Sequence, residues 1–126
     1  FYLDYFEQGK PAYVEMNFMD YDDAVSLIRR NGGIPVVAHP GHNFRNREEI
    51  VVELLQKGAL GLEVFNNYHS DDQVKRFADI ALKHKVIMTC GSDFHGKTKP
   101  LIHPGHFRWF EQYHGYVRQS IEELSC

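Results

Sequence analysis

Two side chains that could bind a metal stand two positions apart in the segment Cys90–Gly96. Asp93 and His95 follow the apolar run Val86–Met88, which ends in Gly-Ser and so predicts a buried strand that breaks into a loop. Residues two apart in an extended segment point to the same side, so the carboxylate and the imidazole converge. This pair suits Zn, Mn, Fe or Ni better than Ca or Mg, which prefer oxygen ligands. A loop Asp that caps the next segment beside an exposed His would explain an isolated Asp-x-His equally simply.

Alternating helix and strand signals between residues 20 and 91 would position this pair. Acids at the start of the segment 20–32, with Arg-Arg-Asn-Gly at its end, predict a first helix. Asn46 is predicted to cap a second helix, and Ser70 opens a third with a capping box. Short apolar runs predict strands near residues 34–38, 61–65 and 86–90. The alternation predicts parallel βαβ units, with three adjacent strands and helices packed outside.

Parallel strands would bring polar side chains from three loops to one face. His39, the loop 66–69 and the Asp93/His95 pair each follow a strand, and α/β active sites lie at the carboxyl ends of parallel strands. The set His39, Asp93 and His95 has the mixed nitrogen and oxygen donors of a hydrolytic metal site with an open position for water. Three ligands alone make a weak or open site, and no nearby His-x-His completes a polynuclear centre.

Composition limits the classes of function. With 126 residues, of which 43% are hydrophobic, the chain is the size of one soluble domain that can bury a core. A net charge of -3 with interspersed signs argues against a groove for long duplex nucleic acid or an anionic membrane surface, but allows a short nucleotide. No apolar run approaches the ~20 residues of a membrane span and no signal peptide is evident, so we expect a cytoplasmic protein. Cys90 is predicted to be a small buried residue.

The flanking segments follow the alternation less well. Residues 1–19 are aromatic and apolar without a clean period and are predicted to form a packed flap. The stretch Lys97–His106 is irregular, and we assign it no role. Residues 107–126 carry the pattern of a closing helix. Because the first residue is Phe, we expect the chain to be part of a longer one.

Three motifs resemble, in order and spacing, the later motifs of the PHP (polymerase and histidinol phosphatase) phosphoesterases. They are Ala38-His39-Pro40, the segment Gly61–Phe65 with a His four residues beyond it, and Gly91–Gly96; the resemblance covers about residues 9–96. It implies a distorted seven-stranded β/α barrel in which His39, Asp93 and His95 bind Mn, Fe or Zn ions, two or three in the complete site. A bridging hydroxide would then attack the phosphorus of a phosphate ester. Residues 1–19 resemble the end of a helical arm inserted in the subgroup that acts on nucleoside monophosphates and short oligonucleotides.

The family's opening His-x-His and the acidic and His ligands that follow it have no counterpart in this chain. The resemblance therefore implies that residues 20–126 are the carboxyl-terminal part of the barrel, with a partial ligand set and a missing amino-terminal half. Such a fragment is expected to fold but to hydrolyse little or nothing. An unpaired strand edge and exposed apolar faces would favour self-association.

Further roles are predicted for single residues near the proposed ligands. Asp93 would also accept a proton from the nucleophilic water, and His69 would donate to a phosphate oxygen or protonate the leaving oxygen, unless it is a capping-loop residue that faces solvent. Glu63 is either an outward surface acid or an inward one that orients a ligand. Other candidate phosphate or nucleoside contacts, each otherwise plain surface, are Lys10, Tyr13 and Arg45.

Two other functions stay open at this point. A metal-dependent amide or deaminating hydrolase would use similar ligands on a similar barrel, and substrate profiling with phosphate release would separate it from a phosphoesterase. A non-catalytic metal-binding or assembly fragment is the other alternative. An upstream His-x-His after a first strand would exclude it. The predicted partner of the first function is a small phosphorylated substrate, in particular a nucleotide.

Overall fold

A three-stranded parallel sheet forms the centre of the chain. The computed structural model describes residues 1–45 and 47–124; for Tyr2, Glu123 and Leu124 it describes the backbone alone. The strands are β1 (Val36–Val37), β2 (Gly61–Asn66) and β3 (Ile87–Gly91), in the order β1-β2-β3 with both pairings parallel. The predicted α/β fold with adjacent parallel strands is therefore confirmed, although β1 is shorter than the predicted strand.

The register of β2 sets the geometry of the sheet. Gly61 pairs with Val36 on one side and Ile87 on the other. A Cβ at Gly61 would lie 2.8 Å from Val36 Cγ2 and 2.6 Å from Ile87 Cγ1, so glycine lets its two neighbours close over the strand. Further along, the pairing with β3 shifts between Glu63 and Phe65. This irregularity leaves the intervening residue, Val64, out of the ladder to β3.

Six helices accompany the strands in the described residues, and the start of the helix Asp71–His84 follows from its sequence. The predicted capping box is present: Ser70 Oγ accepts a hydrogen bond from the Gln73 N–H, and Gln73 Oε1 accepts one from the Ser70 N–H. Asn46, the predicted cap of the second long helix, lies outside the described residues. The helices are α1 (Tyr2–Tyr5), α2 (Tyr21–Arg30), α3 (Pro40–Asn43), α4 (Glu48–Gln56), α5 (Asp71–His84) and α6 (His114–Leu124).

The core joins β2 to the helices around it. α5 packs on β2 and β3, and α6 packs on β3. Leu62 and Phe65 of β2 and Val74 and Phe77 of α5 are fully or almost fully buried. Burying a side chain of this size contributes roughly 1.5–3 kcal/mol. The carboxyl ends of β2 and β3, where the predicted site residues lie, are thus fixed to a well-packed layer.

Helix α6 also covers part of the outer edge of β3. The Met88 N–H, which no further strand pairs in the described residues, donates to the Oγ of buried Ser120 at 2.9 Å. Ser120 in turn donates to the Tyr116 carbonyl at 2.9 Å. A helix side chain thus pairs one N–H of the strand edge, and only to that extent weakens one reason for the predicted self-association.

Three expectations from the sequence are corrected. Residues 1–19 form only the short α1 and do not pack as a flap: Phe18, for example, is 81% exposed, because the segment lacks the periodic apolar face that could dock on the sheet. Cys90 is exposed, because it lines an open cavity whose other walls come from residues that follow β3. The closing helix begins at His114 rather than at residue 107, after an irregular stretch and a 3₁₀ turn at Glu111–Tyr113.

None of the described helices has the length and apolar character needed to cross a membrane.

Candidate functional site

The loop after β1 presents His39 in an unusual conformation. Its φ of 29° and ψ of 57° lie on the left-handed side of the backbone map. The following Pro40 disfavours the right-handed helical region for His39, and Glu63 Oε2 accepts the His39 N–H at 2.6 Å. The Nδ1 atom of the His39 side chain is buried and has no hydrogen-bond partner among the described residues. A buried imidazole nitrogen that makes no hydrogen bond suits a metal ligand, in the tautomer that places the proton on Nε2.

The loop after β3 presents Asp93 as a firmly ionised carboxylate. Its Oδ2 accepts hydrogen bonds from Tyr68 Oη, at 2.7 Å, and from Lys99 Nζ. Lys99 Nζ also donates to Tyr68 Oη at 2.9 Å. Since an ammonium has no acceptor, the single proton of the phenol must point to Asp93. Burial raises the pKa of Asp93, but the hydrogen bonds from Lys99 and Tyr68 outweigh it and bring the pKa to about 2.

The ring of Tyr68 connects the loops that follow all three strands. It stacks on His42, with ring centroids 4.5 Å apart, and lies edge-on to His39 at 6.2 Å. Its hydroxyl reaches Asp93 at the same time. Polar groups from the ends of β1, β2 and β3 therefore meet around one aromatic side chain, as the parallel arrangement predicted.

His95 lies at the same end of the sheet but is more open. Its side chain is 52% exposed, and its Nδ1 lies 2.7 Å from the Asp93 carbonyl and 3.5 Å from Asp93 Oδ1. If Nδ1 carries the proton donated to that carbonyl, Nε2 keeps the lone pair that a metal would need. Across the part of the chain that the structure describes, no three His, Cys, Asp or Glu side chains come close enough to bind one ion. The donor atoms of His39, Asp93 and His95 nevertheless suit a metal ion. Their joint role as ligands stays a prediction.

His69 is held in a way that the sequence did not suggest. It is fully buried, its Nδ1 lies 2.8 Å from the carbonyl of Val64 in the bulge, and its Nε2 accepts the Gly41 N–H at 3.1 Å. Burial lowers its pKa and so favours the neutral ring. Because Nε2 accepts the Gly41 N–H, Nδ1 carries the proton and donates it to the Val64 carbonyl. Both nitrogens are therefore used within the fold. This arrangement fixes the loop after β1 to the end of β2 and leaves no nitrogen for the predicted contact with a phosphate or leaving oxygen.

Glu63 points toward the same loops. Besides accepting the His39 N–H, its carboxylate fills the space above Gly91, where an added Cβ would lie 2.2 Å from Oε1. Glu63 therefore lies between the ends of β1 and β3, and its predicted contact with substrate stays a prediction. The predicted contacts of three exposed residues with a phosphate or nucleoside also stay predictions; these residues are Lys10, Tyr13 and Arg45.

The sequence reasoning missed Tyr68, Lys99, His42 and the buried Asn66. Asn66 Nδ2 donates to the Gly91 carbonyl at 3.2 Å and its Oδ1 accepts the Tyr68 N–H at 3.0 Å, so it fixes the Tyr68 loop to β3. Two polar residues directly after a buried strand were a usable signal for Asn66 and Tyr68. Lys99 lies in the stretch to which no role was assigned, and no local pattern marks it.

Comparisons with known proteins place these features in context. No family model matches the chain. A 3',5'-nucleoside bisphosphate phosphatase of Chromobacterium violaceum is 37% identical over 94 residues, which are 72% of this chain and 33% of that protein. A phosphoribosyl 1,2-cyclic phosphate 1,2-diphosphodiesterase of Eggerthella lenta is 31% identical over 104 residues, 82% of this chain and 39% of that protein. The chain thus spans about a third to two fifths of the length of these curated relatives.

Two solved structures share the fold. One is described as an amidohydrolase of Chromobacterium violaceum with bound sulfate and no metal; it has a TM-score of 0.71 and 30% identity, over 97% of this chain and 43% of that one. The other is assigned as a metal-dependent phosphoesterase of Bifidobacterium adolescentis, with a TM-score of 0.72 and 27% identity, over 95% of this chain and 41% of that one. By their names these relatives are hydrolases. The resemblance to PHP-type phosphoesterases that the motifs predicted is thereby confirmed over the matched part of the chain.

Proposed function

We propose that this homologue of PHP-type phosphoesterases takes part in the metal-dependent hydrolysis of phosphate esters, with a nucleoside monophosphate or a short oligonucleotide as substrate. The observation that carries the proposal is the meeting of three loops at the carboxyl ends of parallel strands. There His39, whose Nδ1 has no partner among the described residues, lies edge-on to the Tyr68 ring, and the ionised Asp93 accepts the Tyr68 hydroxyl. The names of the relatives, a nucleotide phosphatase and a phosphodiesterase, support the choice of substrate.

His39, Asp93 and His95 would hold the divalent ion, which is Mn, Fe or Zn in this proposal. When bound, the ion supplies hydroxide from water near neutral pH and neutralises charge on the phosphate oxygens. The chain's own residues prepare the site for this. Asp93 is ionised and so suits a cation, whereas the hydrogen bonds that bring its pKa to about 2 make it a weak acceptor for a proton of the water. Glu63 fixes the backbone of His39. The structure supports a positioning role for His69 rather than proton donation to the leaving oxygen.

The proposal extends to the architecture. Residues 20–126 would form the carboxyl-terminal part of a seven-stranded β/α barrel, and residues 1–19 the end of an inserted arm. The solved relatives support the view that the chain forms part of a larger fold, because almost the whole chain aligns with less than half of each. In this proposal the amino-terminal half of the barrel supplies the remaining ligands, and residues 1–126 alone hydrolyse little. The exposed apolar side chains of residues 1–19 would also favour self-association, which light scattering of the purified protein can test.

A metal-dependent amide hydrolase is the second candidate, favoured by the description of one structural relative as an amidohydrolase. Its reaction would break a carbon–nitrogen bond and release no phosphate. Phosphate release from nucleoside monophosphates, nucleoside 3',5'-bisphosphates and short oligonucleotides, compared with ammonia or amine release from amides, distinguishes the two candidates.

The site itself is tested with Asp93→Asn and His95→Ala in the full-length protein. We expect both variants to lose bound Mn and more than about a hundredfold in phosphate release, because each removes a direct ligand. His103→Ala is the matched control, because His103 is an exposed histidine in a segment, His103-Pro-Gly-His106, with the same sequence as His39-Pro-Gly-His42. Metal content and turnover that stay unchanged in both ligand variants would refute the proposed site.

A further inference from the structure

We infer that Lys99 is a built-in cation that competes with the metal for Asp93. The inference rests on the proposed metal site and adds a residue that controls its affinity. Lys99 Nζ donates to Asp93 Oδ2 and to Tyr68 Oη, and it lies 5.4 Å from the centroid of the Tyr68 ring. The ammonium thus binds the carboxylate oxygen at one of the positions that a divalent ion would seek.

The local fold places Lys99 at this point. The 3₁₀ turn Gly96–Thr98 follows His95 directly, and the Lys99 N–H donates to the Gly96 carbonyl at 3.3 Å. The turn reverses the chain, so that a lysine six residues after Asp93 reaches back over its carboxylate. The side chain of Asp93 is only 12% exposed and that of Lys99 is 37% exposed. This ion pair is therefore better shielded from solvent than an ordinary surface pair, such as Lys57–Glu53 with 51% and 59% exposure.

Charge decides the direction of the effect. An ammonium on a carboxylate neutralises it and repels an approaching divalent cation, and both effects weaken metal binding. Tyr68 orients the same oxygen as a neutral donor and adds no such repulsion. Asp93 Oδ1 lies on the side of His95 and makes no contact with Lys99 in the hydrogen bonds described, so the ion has a second oxygen to bind. Lys99 therefore stabilises the loop of Asp93 when no metal is bound, and it lowers the affinity of the site for a divalent ion.

The test is a Mn²⁺ titration of the metal-free, full-length protein by calorimetry. Lys99→Met removes the charge but keeps the aliphatic stem, and we expect it to bind Mn²⁺ roughly tenfold more tightly, as for the loss of one partly shielded ion pair. Lys99→Arg keeps the charge and should retain the wild-type affinity. Lys97→Met is the matched control, because Lys97 is an exposed lysine of the same turn that makes none of these contacts.

Thermal unfolding gives a second measurement. Metal-free Lys99→Met should melt below the wild type, and saturating Mn²⁺ should close the gap, because the ion replaces the lost positive charge. Damage to the fold would weaken metal binding, so tighter binding cannot arise from misfolding.

An affinity that is unchanged or weaker in Lys99→Met, while wild type binds Mn²⁺ and Asp93→Asn does not, would overturn the competition by Lys99 and leave the proposed site intact. A wild-type protein that binds no Mn²⁺, or binds it equally after Asp93→Asn, would instead overturn the proposed site and this inference with it.

Discussion

Replacing His69 by Phe would separate a structural role from a catalytic one. The substitution keeps a ring against Phe77, which lies 4.9 Å away between centroids, but removes both hydrogen bonds of the imidazole. The Val64 carbonyl is then left without a partner in the core, at a cost of about 1–3 kcal/mol, and the Gly41 N–H, which water can reach in part, adds less. We expect the free energy of unfolding to fall by about 2–4 kcal/mol, a large share of the ~5–15 kcal/mol typical of a domain.

The pH dependence of this loss has a definite sign. Burial lowers the pKa of His69 below its usual value of 6.5, so the unfolded chain binds the proton first as the pH falls. The wild type should therefore lose up to about 1.4 kcal/mol per pH unit below pH ~6.5, until the folded-state pKa is reached. His69→Phe lacks this contribution. The difference between the two proteins should be largest near neutral pH and shrink on acidification.

Urea unfolding followed by circular dichroism between pH 5 and pH 8 measures both effects, with exposed His106→Phe as the control for a surface histidine. The reasoning fails if His69→Phe costs less than about 1 kcal/mol at neutral pH, or if its deficit does not change with pH. A variant of normal stability with a strongly reduced turnover number would instead support the proton-donor role predicted from the sequence.

Two further substitutions test contacts that hold the sheet and the site together. Ser120→Ala removes the acceptor for the Met88 N–H in the core and should cost about 1–3 kcal/mol in urea unfolding. Gly91→Ala places a Cβ 2.2 Å from Glu63 Oε1; it should displace the carboxylate from the His39 N–H and weaken Mn²⁺ binding about 10- to 100-fold, measured by calorimetry.

Each of these substitutions has a matched control. Ser26→Ala changes an exposed serine of α2 and should leave stability within about 0.5 kcal/mol. Gly115→Ala meets no atom within 4 Å and should leave Mn²⁺ affinity unchanged. A Ser120 variant as stable as the wild type would show that Met88 finds another acceptor. Full metal affinity in Gly91→Ala would show that Glu63 does not position His39.

The sequence predicted those features that local patterns determine. The apolar runs and helix signals gave the parallel strands, and hence the common face on which His39 and Asp93 lie. The contacts of Tyr68 with Asp93 and Lys99 join residues 25 and 31 positions apart, so no local period reveals them. The role of His69 depends on the irregular register at Val64, which a one-residue change in strand pairing creates.

Residues outside the strands show the same limit. Residues 1–19 were predicted to pack because they are apolar, but apolar composition without a periodic face does not fix a packing partner. Cys90 was predicted to be buried because it ends an apolar strand, and its exposure depends on the open cavity that later, irregular residues form beside it.

The left-handed backbone conformation of two proposed ligands lowers the stability of the fold but positions side chains that the proposed function needs. In the described chain three residues other than glycine have a positive φ: Lys85 at the end of α5, and the proposed ligands His39 and Asp93. A residue with a side chain costs about 1 kcal/mol or more in this region, which glycine would avoid. A random library selected for thermal tolerance alone would therefore gain by replacing His39 with glycine, and would lose the imidazole. If variants selected for activity keep His39, the reason lies in the chemistry of the site, because selection for stability alone would not retain this side chain.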